Sequence, residues 1–156
     1  MKFVLLGLIF GSISYIGVKL GNTYKEKERF YNDFASFLLY LKTEIGFFKT
    51  NIIEIINKYE TKNKNLKLLL TNYSKFLDGK DFELLEMLSK EENEEIAGFF
   101  KGIGLNDCFT QEDFIEKNIL AFNQKLDDCK KLNLKYGVLY KKLGVLFAIF
   151  VCIVLI

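Results

Sequence analysis

The sequence predicts an all-α fold: a cytoplasmic helical bundle flanked by N- and C-terminal transmembrane helices, the last bundle helix long and continuous into the membrane. Three observations predict it. No proline occurs in the 156 residues, and apolar side chains recur at steps of three and four through most of the chain, the period of an amphipathic helix. Both ends are apolar and uncharged, from Phe3 to Val18 and from Leu143 to Ile156. Lysine and arginine gather just inside those two runs. The expected boundaries are 1–20 for the first span, 21–137 for a bundle of about six helices and 138–156 for the second span.

At 1.5 Å per residue the first apolar run covers about 24 Å and the second about 21 Å, both short of the ~30 Å hydrocarbon core. Each borrows length from its flank. Lys19 can snorkel on one side, while Val138 to Tyr140 and the stems of Lys141 and Lys142 extend the other. A cleaved leader is the competing reading of the first run, but only Lys2 precedes it and no Ala-x-Ala-like site follows, which favours an uncleaved anchor. Lys19, Lys25, Lys27 and Arg29 lie inside the first span, and Lys130, Lys131, Lys135, Lys141 and Lys142 lie just before the second. The positive-inside rule therefore puts the middle of the chain in the cytoplasm and both termini across the membrane.

Each span carries small residues. Gly7 and Gly11 stand at G-x-x-x-G spacing with Gly17 and Gly21 further on, and Gly144, Ala148 and Cys152 follow at four-residue steps. Such stripes let helix backbones approach closely, so the spans are expected to pair with each other or with a neighbour.

Between the spans, Phe30, Phe34, Phe37, Leu38, Leu41, Ile45 and Phe48 make one stripe of a first bundle helix, weakened at Gly46. Thr50 or Asn51 caps a short second helix, with Glu54 placed for an approximate capping box. Asn63 to Asn65 forms a break, and Leu66, Leu69, Leu70, Tyr73 and Leu77 pattern a third helix that ends at Asp78-Gly79. Asp81 is the expected cap of a fourth, burying Phe82, Leu85 and Leu88. A fifth places Ile96, Phe99, Phe100 and Ile103 inward and stops at Gly104. Thr110 opens a long sixth helix through Phe114, Ile115, Ile119, Phe122, Leu126, Cys129, Leu132 and Tyr136, with a bend expected at Gly137 before the second span. That makes at most ~70 Å of near-continuous helix.

Chemistry is hard to place on this chain. Histidine is absent, which removes the commonest general base and metal ligand. Cys108, Cys129 and Cys152 lack C-x-x-C spacing and read as small hydrophobes, so neither metal nor disulfide framework is expected. No cofactor motif appears: DGKD lacks a phosphate-cradling glycine loop, and GFFKGIG is a helix end. The formal charge of +2 and the absence of basic residues interleaved with the aromatic stripes argue against nucleic acid. The acidic stretch Asp81 to Glu95 and the lysines from Lys130 to Lys142 are each either a docking face or a solvated, mutually balanced surface. A mechanical or interactive role, not an enzymatic one, is the expectation.

Four stretches then resemble a known family. Arg29 leads to Leu41-x-x-Glu44-Ile45; FFKTNIIEII keeps Thr50, Ile52 and Glu54 of an aromatic-x-x-Thr-Pro-Leu-x-Glu-Ala pattern, with Asn51 for the proline and Ile55 for the alanine. Ile103, Gly104, Asp107, Gln111 and Ile115 match a Leu-Gly, Asp and Gln arrangement, and Tyr140, Lys141, Lys142, Leu143 and Gly144 match a Tyr-Lys-x-Leu-Gly start of the terminal span. In this order, from about residue 20 to the end and apart from the stretch between Lys58 and Glu92, they resemble the stage III sporulation protein AB family of endospore-forming bacteria. That family is itself similar to the cytoplasmic F domain of type II secretion platforms.

The resemblance implies a non-enzymatic part of the complex that connects mother cell and forespore, anchored in the outer forespore membrane with its bundle in the mother-cell cytoplasm. Implied partners are a cytoplasmic ATPase, stage III sporulation protein AA, other channel components and further copies of the chain. Glu44, Thr50, Glu54, Gly104, Asp107 and Gln111 become family-motif positions. Asp107 and Gln111 are either cap residues of the long helix or contacts, and Glu44 is either paired or facing the ATPase. A stand-alone membrane-anchored regulator and a secreted helical protein are the competing readings.

Overall fold

A computed structural model of the chain describes residues 2–77, 81–103 and 108–155. Its elements are α1 (Lys2–Thr43), a π-helical turn (Glu44–Phe48), α2 (Ile52–Lys58), α3 (Lys64–Leu77), α4 (Lys90–Gly102), α5 (Cys108–Leu132), a second π-helical turn (Asn133–Gly137) and α6 (Val138–Leu155). All regular structure among the described residues is helical. The chain packs as two compact units, Met1–Glu28 with Asp127–Ile156, and Arg29–Leu126.

Helix α1 runs without interruption through the stretch where the sequence suggests a change from span to bundle, because neither a proline nor a capping residue stops it. It ends where Gly46 relaxes the ladder into the π-helical turn. Lys49, at φ 51°, then turns the chain in the left-handed region and donates its N–H to the Glu44 carbonyl. Asn51 caps α2 by accepting the Ile53 N–H at 3.0 Å. Glu54 does not complete a capping box; its carboxylate accepts from Lys58 at 2.6 Å.

The break at Asn63 is itself a cap. Its side-chain oxygen accepts the N–H groups of Asn65 at 3.1 Å and Leu66 at 3.3 Å, and its amide donates to Asp33 at 2.8 Å, tying α3 to α1. Leu66, Leu69, Leu70 and Tyr73 are buried as expected, but Leu77 is exposed at the helix end.

The fourth helix expected from Asp81 is absent: residues 81–85 have no regular structure and a turn follows at 86–88. Leu85 and Leu88 are nevertheless buried, while Phe82 is only half-buried. Backbone groups that a helix would have satisfied go instead mainly to side chains: Asn72 donates to the Glu83 carbonyl at 3.3 Å, and Asn93 takes several more. Asn93, 4% exposed, accepts the Leu85 N–H at 2.8 Å and donates to the carbonyls of Leu85 at 3.0 Å, Leu88 at 3.2 Å and Ser89 at 3.0 Å. Helix initiation moves to Ser89, whose hydroxyl accepts the Glu92 N–H while the Glu92 carboxylate accepts the Ser89 N–H, a full capping box. Replacing Asn93 by Ala strands a buried N–H together with several carbonyls. Asn93→Ala is expected to cost about 2–4 kcal/mol in chemical denaturation, whereas Ser89→Ala costs about 1 kcal/mol.

Aromatic rings fill the core of the Arg29–Leu126 unit. Phe34 is fully buried and meets Phe122 edge-on at 4.9 Å, with Phe30, Phe37, Phe99 and Phe100 between 5.9 and 6.3 Å. Tyr73 lies 4.3 Å from the Phe100 ring, and its hydroxyl is buried without a hydrogen-bond partner among the described residues. Burial pushes its phenol up to about 12. The neutral form is thus preferred in the fold, so the stability this gives is present below the ordinary tyrosine value of ~10 and is lost as pH rises toward 12. Tyr73→Phe is expected to keep or raise the melting temperature at pH 7 and to flatten the loss of stability between pH 10 and 12, followed by near-ultraviolet circular dichroism.

The long C-terminal helix starts at Cys108, slightly before Thr110, and continues to Leu155 through a π-helical turn in place of a simple bend at Gly137. Leu132, expected on the buried stripe, is exposed where α5 ends and the π-helical turn begins.

Candidate functional site

In the unit formed by the chain ends, α1 and α6 run antiparallel with their backbones almost touching. A Cβ built on Gly17 would stand 2.6 Å from the Gly144 Cα, and one on Gly21 would stand 2.5 Å from the Gly137 carbonyl oxygen and 2.7 Å from the Lys141 Cγ. Only glycine admits this approach. Ala148 is fully buried on the same line, and the Cys152 thiol lies 3.8 Å from the Leu6 carbonyl, to which it donates. Gly7 and Gly11 are placed differently: a Cβ on either meets nothing within 4 Å.

Above the seam, Tyr24 stacks on Tyr136 and on Tyr140, each at 6.0 Å, and the Asn133 amide donates to the Glu28 carboxylate at 2.6 Å. Outward from it the surface is apolar, with Val4, Leu8, Ile16, Phe147, Phe150 and Ile153 all exposed. The apolar windows of the two long helices, within Val4–Phe48 and Glu112–Leu155, are only 17% and 6% buried inside the protein. Core helices of a soluble protein would be mostly covered; these two are long and apolar enough to cross a membrane.

The Arg29–Leu126 unit gathers three of the motif residues at one corner. Thr50 donates its hydroxyl to the Glu44 carboxylate at 2.8 Å and its N–H to the Glu44 carbonyl at 3.2 Å, so the end of α1 and the start of α2 are latched by this pair. Tyr40, one turn before Glu44, contacts the Tyr59 ring at 5.3 Å; desolvation, and then the Glu44 charge and hydrogen bond, hold its phenol above the usual value. Glu54 raises the Lys58 ammonium by a hydrogen bond and by its charge. Phe47 and Phe48 stand on the latched turn, 84% and 70% exposed. The corner is built to hold a turn and display rings.

Gly104 and Asp107 lie outside the described residues, and Gln111 sits in the first turn of α5 with its side chain outside the description. A cleft of about 550 Å³ opens between α2 and α3, lined by Ile56, Tyr59, Glu60, Lys67, Thr71 and Ser74. Among the described residues no group of three or more His, Cys, Asp or Glu side chains is placed to hold a metal ion.

The sequence reading did not single out Asn93 or the Asn133–Glu28 bond. Asn93 was detectable, since it precedes Ile96, Phe100 and Ile103 by three, seven and ten residues and so shares their inward face. The Asn133–Glu28 bond joins residues 105 apart and leaves no local signal.

No curated protein and no solved structure matches the chain. The family model for Stage III sporulation protein AB matches residues 2–156, nearly the whole length, and the chain belongs to that family of sporulation proteins.

Proposed function

We propose that this chain is a non-catalytic membrane scaffold of the channel that joins mother cell and forespore, its helix pair embedded in the outer forespore membrane. The observation that carries the reading is the glycine seam. Two apolar helices packed backbone to backbone, with large apolar side chains turned outward, are organised for lipid on their outer faces. The lysines beside Gly21 and Gly144 support, by the positive-inside rule, a mother-cell cytoplasmic location for the Arg29–Leu126 unit. There the Glu44–Thr50 corner, with Phe47 and Phe48 displayed, is the contact offered to the ATPase of the complex. The likeness to the F domain of type II secretion platforms belongs to the same proposal, since such a domain also joins a membrane anchor to a cytoplasmic motor.

Protease protection in sporulating cells tests the orientation: an epitope near Lys62 should be cut only after the mother-cell membrane is opened. Deletion of the gene should stop forespore development after engulfment, and the purified chain should retain the ATPase, with less retained by a Phe47→Ala/Phe48→Ala variant. Normal spores from the deletion strain would overturn the scaffold role and favour a stand-alone regulator.

A further inference from the structure

The cleft of about 550 Å³ between α2 and α3 has walls that carry polar groups the fold does not use. Glu60 stands on the connection that follows α2 and Lys67 on the first turn of α3, and both line the cleft with exposed side chains. Neither forms an ion pair, with the other or with any described residue. Other lysines of this unit behave differently: Lys42 pairs with Glu116 and Lys58 with Glu54. Ser74, further along the same face of α3, also makes no side-chain hydrogen bond among the described residues.

The backbone of the opposite wall is equally unused. Tyr59 leaves α2 at φ -74° and ψ 112°, an extended conformation, and residues 59–61 form no regular structure. The Tyr59 N–H still bonds the Ile55 carbonyl at 3.0 Å, but the N–H groups of Glu60 and Thr61 and the carbonyls of Ile56 and Asn57 have no partner among the described residues. This stretch is nevertheless held in place. The Thr61 hydroxyl accepts the Asn63 N–H at 3.1 Å, and the Tyr59 ring lies against Phe37 at 5.0 Å and Tyr40 at 5.3 Å. Ile56 and Leu70, both buried, close the floor between the walls.

We infer that this cleft binds a short extended peptide segment of a protein partner, with an acidic side chain toward Lys67, a basic one toward Glu60 and a small apolar one over Ile56 and Leu70. The main chain of such a segment offers alternating N–H and C=O groups, the complement of the free backbone groups at residues 56–61. A helical occupant would leave those groups unmet, because its own are satisfied internally. An inorganic anion would answer Lys67 but be repelled by Glu60. The wall of α3 from Lys67 to Ser74 runs roughly 10 Å, the reach of about three extended residues. The site is separate from the Phe47 and Phe48 contact and does not depend on the membrane anchor.

The test measures fluorescence anisotropy of labelled Gly-Asp-Val-Lys-Gly and of its reverse, Gly-Lys-Val-Asp-Gly, on the full chain in detergent micelles, with Gly-Asn-Val-Gln-Gly as the uncharged control. One of the two charged peptides is expected to saturate, about tenfold tighter than the control. Lys67→Glu should weaken that peptide by about tenfold and restore binding when its aspartate is replaced by lysine. Thr71→Trp fills the cleft from an exposed position without touching either charge, and should abolish binding while far-ultraviolet circular dichroism stays that of the parent. The Phe47→Ala/Phe48→Ala variant should bind as the parent does. Failure of both charged peptides to saturate, equal affinity for the uncharged control, parent-like binding by folded Thr71→Trp, or no rescue of Lys67→Glu by the lysine peptide would each overturn the site. Loss of binding in the Phe47 and Phe48 variant would overturn it too, by moving the contact to the Glu44–Thr50 corner.

Discussion

Gly144→Leu should separate α1 from α6. The new side chain begins with a Cβ that would stand 2.7 Å from the Gly17 Cα, and a backbone atom in mid-helix has no free end to swing aside. The helices must move apart by the thickness of a leucine, which also opens the contact at Ala148 and the stack of Tyr24 on Tyr136 and Tyr140. Crosslinking reads this directly. A cysteine placed at Leu6 lies next to the native Cys152, whose sulfur is 3.8 Å from the Leu6 carbonyl, so mild oxidation should join the two residues in the parent chain. With Gly144→Leu the yield of that crosslink is expected to fall by tenfold or more. Gly7→Leu, in open space, should leave it unchanged. Equal yields in all three backgrounds would mean that the seam does not form in the membrane.

Phe34→Ala is expected to destabilise the aromatic core by about 3–5 kcal/mol, the range for removing a large buried ring. Phe34 is fully buried and contacts rings from α1, α4 and α5, so truncation leaves a cavity that no single neighbour can fill by changing rotamer. Phe47→Ala provides the contrast, because a ring that is 84% exposed contributes little to the folded state. Denaturant midpoints of the detergent-solubilised chain, with near-ultraviolet circular dichroism as probe, separate the two. A Phe34→Ala midpoint within error of the parent would show that the rings do not share one core.

Most of the architecture was legible because helical period is a local property. Phe30, Phe34, Phe37, Leu38 and Leu41 announce their buried face through spacing alone, and so do Ile96, Phe99 and Phe100. The failure at Asp81 is instructive. Phe82, Leu85 and Leu88 keep the spacing of a helical face, yet the segment stays irregular because Asn93, on the following helix, bonds the backbone of Leu85 and Leu88. Periodicity cannot see a competitor that lies in the next element. The Glu44–Thr50 latch was half-legible: both positions stood out as motif residues, but their bond depends on the left-handed turn at Lys49, a conformation a lysine side chain does not advertise. The seam was similar. The small-residue stripes named Gly7, Gly11, Gly17, Gly21 and Gly144 together, whereas the close approach uses Gly17, Gly21, Gly137 and Gly144 and leaves Gly7 and Gly11 in open space, and choosing among positions on one helix requires the register of the other.

The glycine contacts constrain how this chain can change length. Each helical residue advances the azimuth by about 100°, so inserting or deleting one residue between Gly137 and Gly144, or between Gly17 and Gly21, swings half of the glycines off the line of contact. Length variation among relatives should thus be excluded from these two intervals.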